Sequence, residues 1–145
     1  MARGGVDGKL PQIEDEIMET GLQIAFAIQF AAFGLAHLLR PGPLIQFFVM
    51  LSPRREAGVV CIALLSLCTG SFLVAFHNIW SGIPILLTLF GWAQLLKGAG
   101  YLLFPAFGLR QIERPTPERT NLFRVPGIPL LVMSALLAWH LLRTG

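Results

Sequence analysis

Apolar residues gather into four long runs, roughly residues 20–39, 57–77, 84–104 and 126–142, and proline, glycine or charge punctuates each of them. About twenty apolar residues in helical form match a hydrocarbon layer of roughly 30 Å, so the pattern predicts four membrane-crossing helices, the last somewhat short. The first helix should begin before its apolar part. Pro11 suits an opening helical position, and Glu14, Asp15, Glu16 and Glu19 crowd the early turns, where carboxylates complement the helix dipole. Residues 1–10 are glycine-containing and aperiodic, which predicts a flexible start.

Arg40 and Pro41 end the first run, and Pro41-Gly42-Pro43 opens an apolar stretch that closes at Leu51. Residues 41–51 are too few to cross a bilayer, so they are expected to lie in its interface. Ser52 followed by Pro53 has the form of an N-cap with proline at the first helical position, and starts the second helix. The turn from His77 to Gly82 is short, so the third helix should return antiparallel beside the second, with Trp80 in an aromatic belt. Pro105 stops the third run, and residues 106–124 read as a polar loop with a short surface helix starting at Thr116-Pro117-Glu118. Small residues four apart, Ala27 with Ala31 and Ala32 with Ala36, invite close helix packing, as do Gly91 and Gly98 along one face of the third helix.

Two stretches resemble each other. Gly34-Leu35-Ala36-His37-Leu38-Leu39-Arg40-Pro41 matches Gly98-Ala99-Gly100-Tyr101-Leu102-Leu103-Phe104-Pro105 at Gly, Leu, Leu and Pro. Both close a long apolar run, as parallel repeats related by an axis along the membrane normal would. His37 is then the counterpart of Tyr101. The predicted fold is an all-α integral membrane domain over residues 1–145, a four-helix antiparallel bundle of two hairpins with one interfacial segment.

Composition agrees. With 54% hydrophobic and 13% charged residues among 145, and a mean hydropathy of +0.68, the chain is too apolar for a soluble domain of its size. The net charge of +3 does not suggest nucleic acid, because the arginines sit beside apolar runs and form no stripe with interleaved aromatics. The first nineteen residues are polar and acidic, unlike a signal peptide, so the first span should be retained. Arg40, Arg54, Arg55, Arg110, Arg114, Arg119 and Arg124 follow spans one and three, against Arg3, Lys9 and Arg143 on the other side. That bias places those loops in the cytoplasm and both termini outside, in a cell membrane and by expectation a bacterial inner membrane. Cys61 and Cys68 lie seven apart on one helix, beyond disulfide reach of each other.

Chemistry is sparse. Lys97 sits inside the third run, seven residues before Phe104 or roughly 10 Å along a helix. It can snorkel to the headgroups, bond helix carbonyls, or hold an anionic or carbonyl group of a lipid, substrate or quinone, with Gln94 and Tyr101 on the same helix face. The candidate ligand site is therefore Lys97, Gln94 and Tyr101 with the Gly91/Gly98 groove and, through the repeat, His37. His77 and His140, near the outer ends of spans two and four, offer an axial pair for haem b or part of a metal site, although their shallow position suits interfacial hydrogen bonds better. Ser66, Thr69, Gly70 and Ser71 with Ser134 have the look of a nucleophile set, but no motif places a base beside them.

The repeated Gly-x-x-x-Leu-Leu-x-Pro ends, the apolar segment after Pro41 and the four-span layout resemble small bacterial membrane proteins of the DoxX-like kind over roughly residues 20–142. The resemblance implies a four-helix membrane bundle, and for some members quinone-linked oxidation of sulfur compounds or membership of a membrane oxidoreductase complex. It carries no catalytic residues across. Three functions stay open: a non-catalytic accessory or self-associating bundle with a lipid or small-ligand pocket and no required cofactor, a quinone-linked oxidoreductase subunit, and a small anion or solute transporter or channel.

Overall fold

The computed structural model describes residues 10–113 and 120–144, which are helical almost throughout and contain no strand. The expected flexible start, apart from Leu10, and the helix start at Thr116-Pro117-Glu118 lie outside the described residues. In chain order the helices are α1 (Leu10–Leu39), α2 (Pro41–Leu51), α3 (Glu56–Phe76), α4 (Ile85–Leu103), α5 (Pro105–Glu113), α6 (Thr120–Arg124) and α7 (Gly127–Thr144), with a 3-10 turn at Ser52–Arg54. Four stretches are long and apolar enough to cross a membrane: Gln12–Leu39, Glu56–Phe76, Ile85–Leu103 and Asn121–Thr144. They coincide with the four apolar runs.

Proline sets the breaks. A residue that precedes proline is sterically pushed out of the α region, and Arg40 (φ −139°, ψ 65°) and Phe104 (φ −131°, ψ 75°) both leave it in nearly the same way. Each following proline then opens a short helix, because its missing N–H costs nothing at a first helical position. Residues 105–113 are thus helical, where the polar composition had suggested a loop. Ser52 and Pro53 build the 3-10 turn, and α3 itself begins only after Arg55, whose positive φ of 44° redirects the chain. That redirection presses Gly58 onto the Leu51 backbone.

The short sequence match extends into a structural repeat. Gly98 of α4 lies on α3, where an added β-carbon would sit 2.8 Å from the Ala63 carbonyl oxygen and 2.6 Å from the Leu67 nitrogen. Gly34 of α1 lies on α7, where an added β-carbon would meet the Gly127 carbonyl oxygen at 3.1 Å and Leu131 Cγ at 2.7 Å. Each of these residues is followed 64 positions later by its counterpart: Gly34 by Gly98, Ala63 by Gly127, Leu67 by Leu131. The first long helix of each half therefore packs on the last helix of the other half.

These glycine contacts continue along α3 and α4, with Gly70 against Leu95 and Gly91 against Leu73, so that rising residue numbers on one helix meet falling numbers on the other. Between the two close pairs, α1/α7 and α3/α4, larger side chains form a shared core of Leu22, Phe26, Ala27 and Phe30 with Leu73, Leu87 and Leu137. Leu73 and Leu137, again 64 apart, are both fully buried. A second core joins α2, α3 and α5 through Leu51, Val59, Ile62 and Ile112, with Phe48, Tyr101 and Leu109 packed against it. It holds the short helices against the ends of the long ones.

Substituting valine at Gly70 or Gly98 forces backbone against backbone, which a rotamer change cannot relieve. The expected loss is at least about 2 kcal/mol, read as a lowered thermal midpoint in detergent. Gly21→Ala and Gly100→Ala, where nothing lies within 4 Å of an added β-carbon, should leave the midpoint unchanged or raised.

Candidate functional site

Because the tight contacts lie within the pairs, the space between the pairs is wider. Phenylalanines partly fill it: the rings of Phe30 and Phe90 meet edge to face at 4.8 Å, and Phe26 stacks beside Phe30 at 5.8 Å. What they leave is a cleft of about 250 Å³, lined by Phe26, Gln29, Phe30 and Phe33 of α1, Leu65, Ser66 and Thr69 of α3, Phe90 and Gln94 of α4, and Leu130 of α7. The repeat relates Phe26 to Phe90, Phe30 to Gln94 and Ser66 to Leu130. The cleft thus lies where the halves meet.

Its polar groups share a level. Ser66 is the middle residue of α3 and Gln94 that of α4, and Gln29 stands at the centre of the apolar part of α1. Thr69 is one turn from Ser66. None of the described lining residues is charged. Two carboxamides and two hydroxyls each donate and accept, so together with four phenyl rings they suit a neutral group bearing carbonyl or hydroxyl oxygens on an apolar body.

Of the site expected from sequence, Gln94 lines this cleft. Lys97 and Tyr101 lie further along α4, where the Lys97 ammonium stands 5.7 Å from the centre of the Tyr101 ring. The Tyr101 hydroxyl donates to Gln111 Oε1 on α5. Gly91 and Gly98 face α3, so the groove between them is occupied by that helix. His37 donates from Nδ1 to the Phe33 carbonyl at 2.8 Å and packs its β-carbon over Gly127 of α7. The structure thus separates Gln94 from the rest of the set. Gln29, Ser66 and Thr69 join it there although no motif links them; their shared level near the middle of the apolar runs is the sequence signal that connects them.

The histidines differ in setting. His77, one residue past the end of α3, is fully buried, and Thr88 holds the turn that follows. Thr88 Oγ1 donates to the Ile79 carbonyl at 2.8 Å and accepts the Ile79 N–H at 3.1 Å. Its only proton is spent, so the contact with His77 Nδ1 at 3.3 Å requires the imidazole to donate there. Nε2 is left as a buried acceptor without a partner among the described residues. Burial pushes His77 below its ordinary value of 6.5, against a smaller opposing pull from Glu19. His140 is half-buried near the end of α7. No group of three or more His, Cys, Asp or Glu side chains that could hold a metal ion occurs among the described residues. Ser134 donates to the Ala27 carbonyl at 2.8 Å and so ties α7 to α1.

No protein-family model, curated protein or solved structure matches the chain.

The His77 arrangement predicts a pH dependence with a definite sign. A histidine depressed in the folded state takes up its proton first in the unfolded chain, so stability is full above about pH 6.5 and declines as pH falls below it. Thermal midpoints in detergent between pH 7.5 and 5 should fall for the wild type. His77→Gln should start lower and show a flatter profile; an unchanged slope in that variant would assign the dependence elsewhere.

Proposed function

We propose that the protein is a multi-pass membrane protein, an antiparallel bundle of two like halves, which binds a neutral hydrophobic molecule in the cleft between them. The support begins with the outer surface. Ile24, Ile28, Leu64, Leu65, Leu89, Leu96, Val132 and Leu136 are all exposed, an arrangement that is costly in water and natural in lipid. In a bilayer the midpoints of the long helices fall near the midplane, where a polar side chain is expensive and usually functional.

The observation that carries the reading is the meeting of Ser66 and Gln94, each at the centre of its helix, with Gln29, at the centre of the apolar part of α1, on one uncharged cleft. An anion would find no counter-charge there. A ring or chain with carbonyl or hydroxyl oxygens and an apolar tail would find donors, acceptors and phenyl faces together; an isoprenoid quinone is one molecule of that class. Ser66 and Thr69 have carboxamides and rings beside them and no base, a setting for binding rather than nucleophilic attack. Gln29, Phe33 and Leu65 of its lining are exposed, so a second copy or a larger membrane partner would complete its wall. The arginines around α2, α5 and α6 face the cytoplasm in this reading, with the termini on the opposite side.

Extraction of protein purified in mild detergent, followed by mass spectrometry, tests the binding. The wild type should retain a neutral lipid-soluble compound, and Gln29→Leu with Gln94→Leu should lower its occupancy about ten-fold or more, since each lost hydrogen bond is worth about 1 kcal/mol. Equal retention by both would refute the cleft. Orientation has its own check: with Cys61 and Cys68 replaced by alanine, Thr144→Cys should react with an impermeant thiol reagent on intact cells, and Arg54→Cys only after the cells are opened.

A further inference from the structure

The corner where α4 meets α5 lies outside the cleft and has a different chemistry. Tyr101 from α4 and Phe107, Arg110 and Gln111 from α5 line an open hollow there. Side chains on a helix tilt toward its N-terminus, yet the Lys97 ammonium lies near the ring one turn C-terminal to it. The lysine head thus stands beside the ring that forms one wall of the hollow. The Tyr101 hydroxyl donates to Gln111 Oε1, which fixes the ring and leaves the Gln111 amide nitrogen with its two donors. Arg110 is exposed at the same hollow. Tyr101 thus has Lys97 beside its ring and Arg110 across the same hollow, and no carboxylate among the described residues pairs with either cation.

The rim is apolar. Leu103, Phe104 and Phe107 are all more than half exposed. A group that satisfies this corner must carry negative charge with several acceptor oxygens at one end and hydrocarbon at the other. We propose that the corner binds the phosphate of an anionic phospholipid, with Arg110 and the Gln111 amide donating to it, the Lys97 ammonium approaching from within the bilayer, and the acyl chains lying along Leu103, Phe104 and Phe107. Arginine matches phosphate through its planar fork, and the lysine adds a point charge. The site rests on the membrane reading above and is independent of what fills the cleft.

Reconstitution in lipid nanodiscs made from equal parts of phosphatidylglycerol and phosphatidylcholine, followed by native mass spectrometry of released protein, tests the site. The wild type should retain phosphatidylglycerol preferentially. Lys97→Met and Arg110→Gln should each cut that preference about five-fold, the effect of removing one cation near an anionic headgroup, and the double variant should lose it. Arg143→Gln, which removes a cation at the far end of α7, should leave it intact. Arg110→Gln alone changes an exposed residue, so it keeps the test open if Lys97→Met fails to fold. Millimolar inorganic phosphate should not displace the lipid; displacement would make the site one for free phosphate and overturn the lipid assignment. Incorporation into the disc itself reports membrane insertion, so incorporated protein without phosphatidylglycerol preference counts against the corner alone.

Discussion

The missing β-carbons at Gly34 and Gly98 govern how the four long helices assemble. Each lets a helix from one half rest on the backbone of the last helix of the other half, at a separation that any side chain would increase. Two tight pairs follow, and because each pair draws one helix from each half, neither half can close a core alone. The halves are held together by the same contacts that hold the pairs. The wider gap between pairs is then a consequence of geometry, and its filling by Phe26, Phe30, Phe33 and Phe90 leaves space where rings cannot meet.

Much of this was legible in the residues themselves. The four apolar runs, with Pro11 and its acidic turns marking the start of the first helix, gave the long helices to within a few residues, and the prolines at 41 and 105 gave the breaks, because the steric rule for the preceding residue operates without tertiary help. Eight residues around each break disclosed the repeat. The short turn at residues 77–82 implied that α3 and α4 lie side by side, but sequence disclosed neither the pairing of α1 with α7 nor that α3 itself fills the Gly91/Gly98 groove, because glycines say only that something approaches closely. The helix at residues 105–113 was hidden for a different reason. Its polar side chains argued for a loop, while the packing of Ile112 and Leu109 into the second core overrode that local signal.

The candidate site shows the same limit. Lys97 is conspicuous in sequence as a charge within an apolar run, and Gln94 is its neighbour one turn away. In the folded chain the two part company: Gln94 lines an uncharged cleft at mid-helix, and the Lys97 ammonium stands beside the Tyr101 ring. Gln29, Ser66 and Thr69 are unremarkable singly, since hydroxyls in apolar helices commonly bond backbone or permit tight packing. Their meaning comes from convergence across three helices. On the proposed reading the molecule thus separates two chemistries along α4, neutral hydrogen bonding at the centre and cationic contact at the end, where burial and access to headgroups differ.

A map of the intact protein in a lipid nanodisc, at a resolution that shows side chains, tests the central claim most directly. The account predicts elongated density between the α1/α7 and α3/α4 pairs, ending in contact with Gln29 and Gln94. A cleft closed by Phe33 or Phe90 swinging across it, with the two carboxamides bonded to helix carbonyls instead, would contradict it.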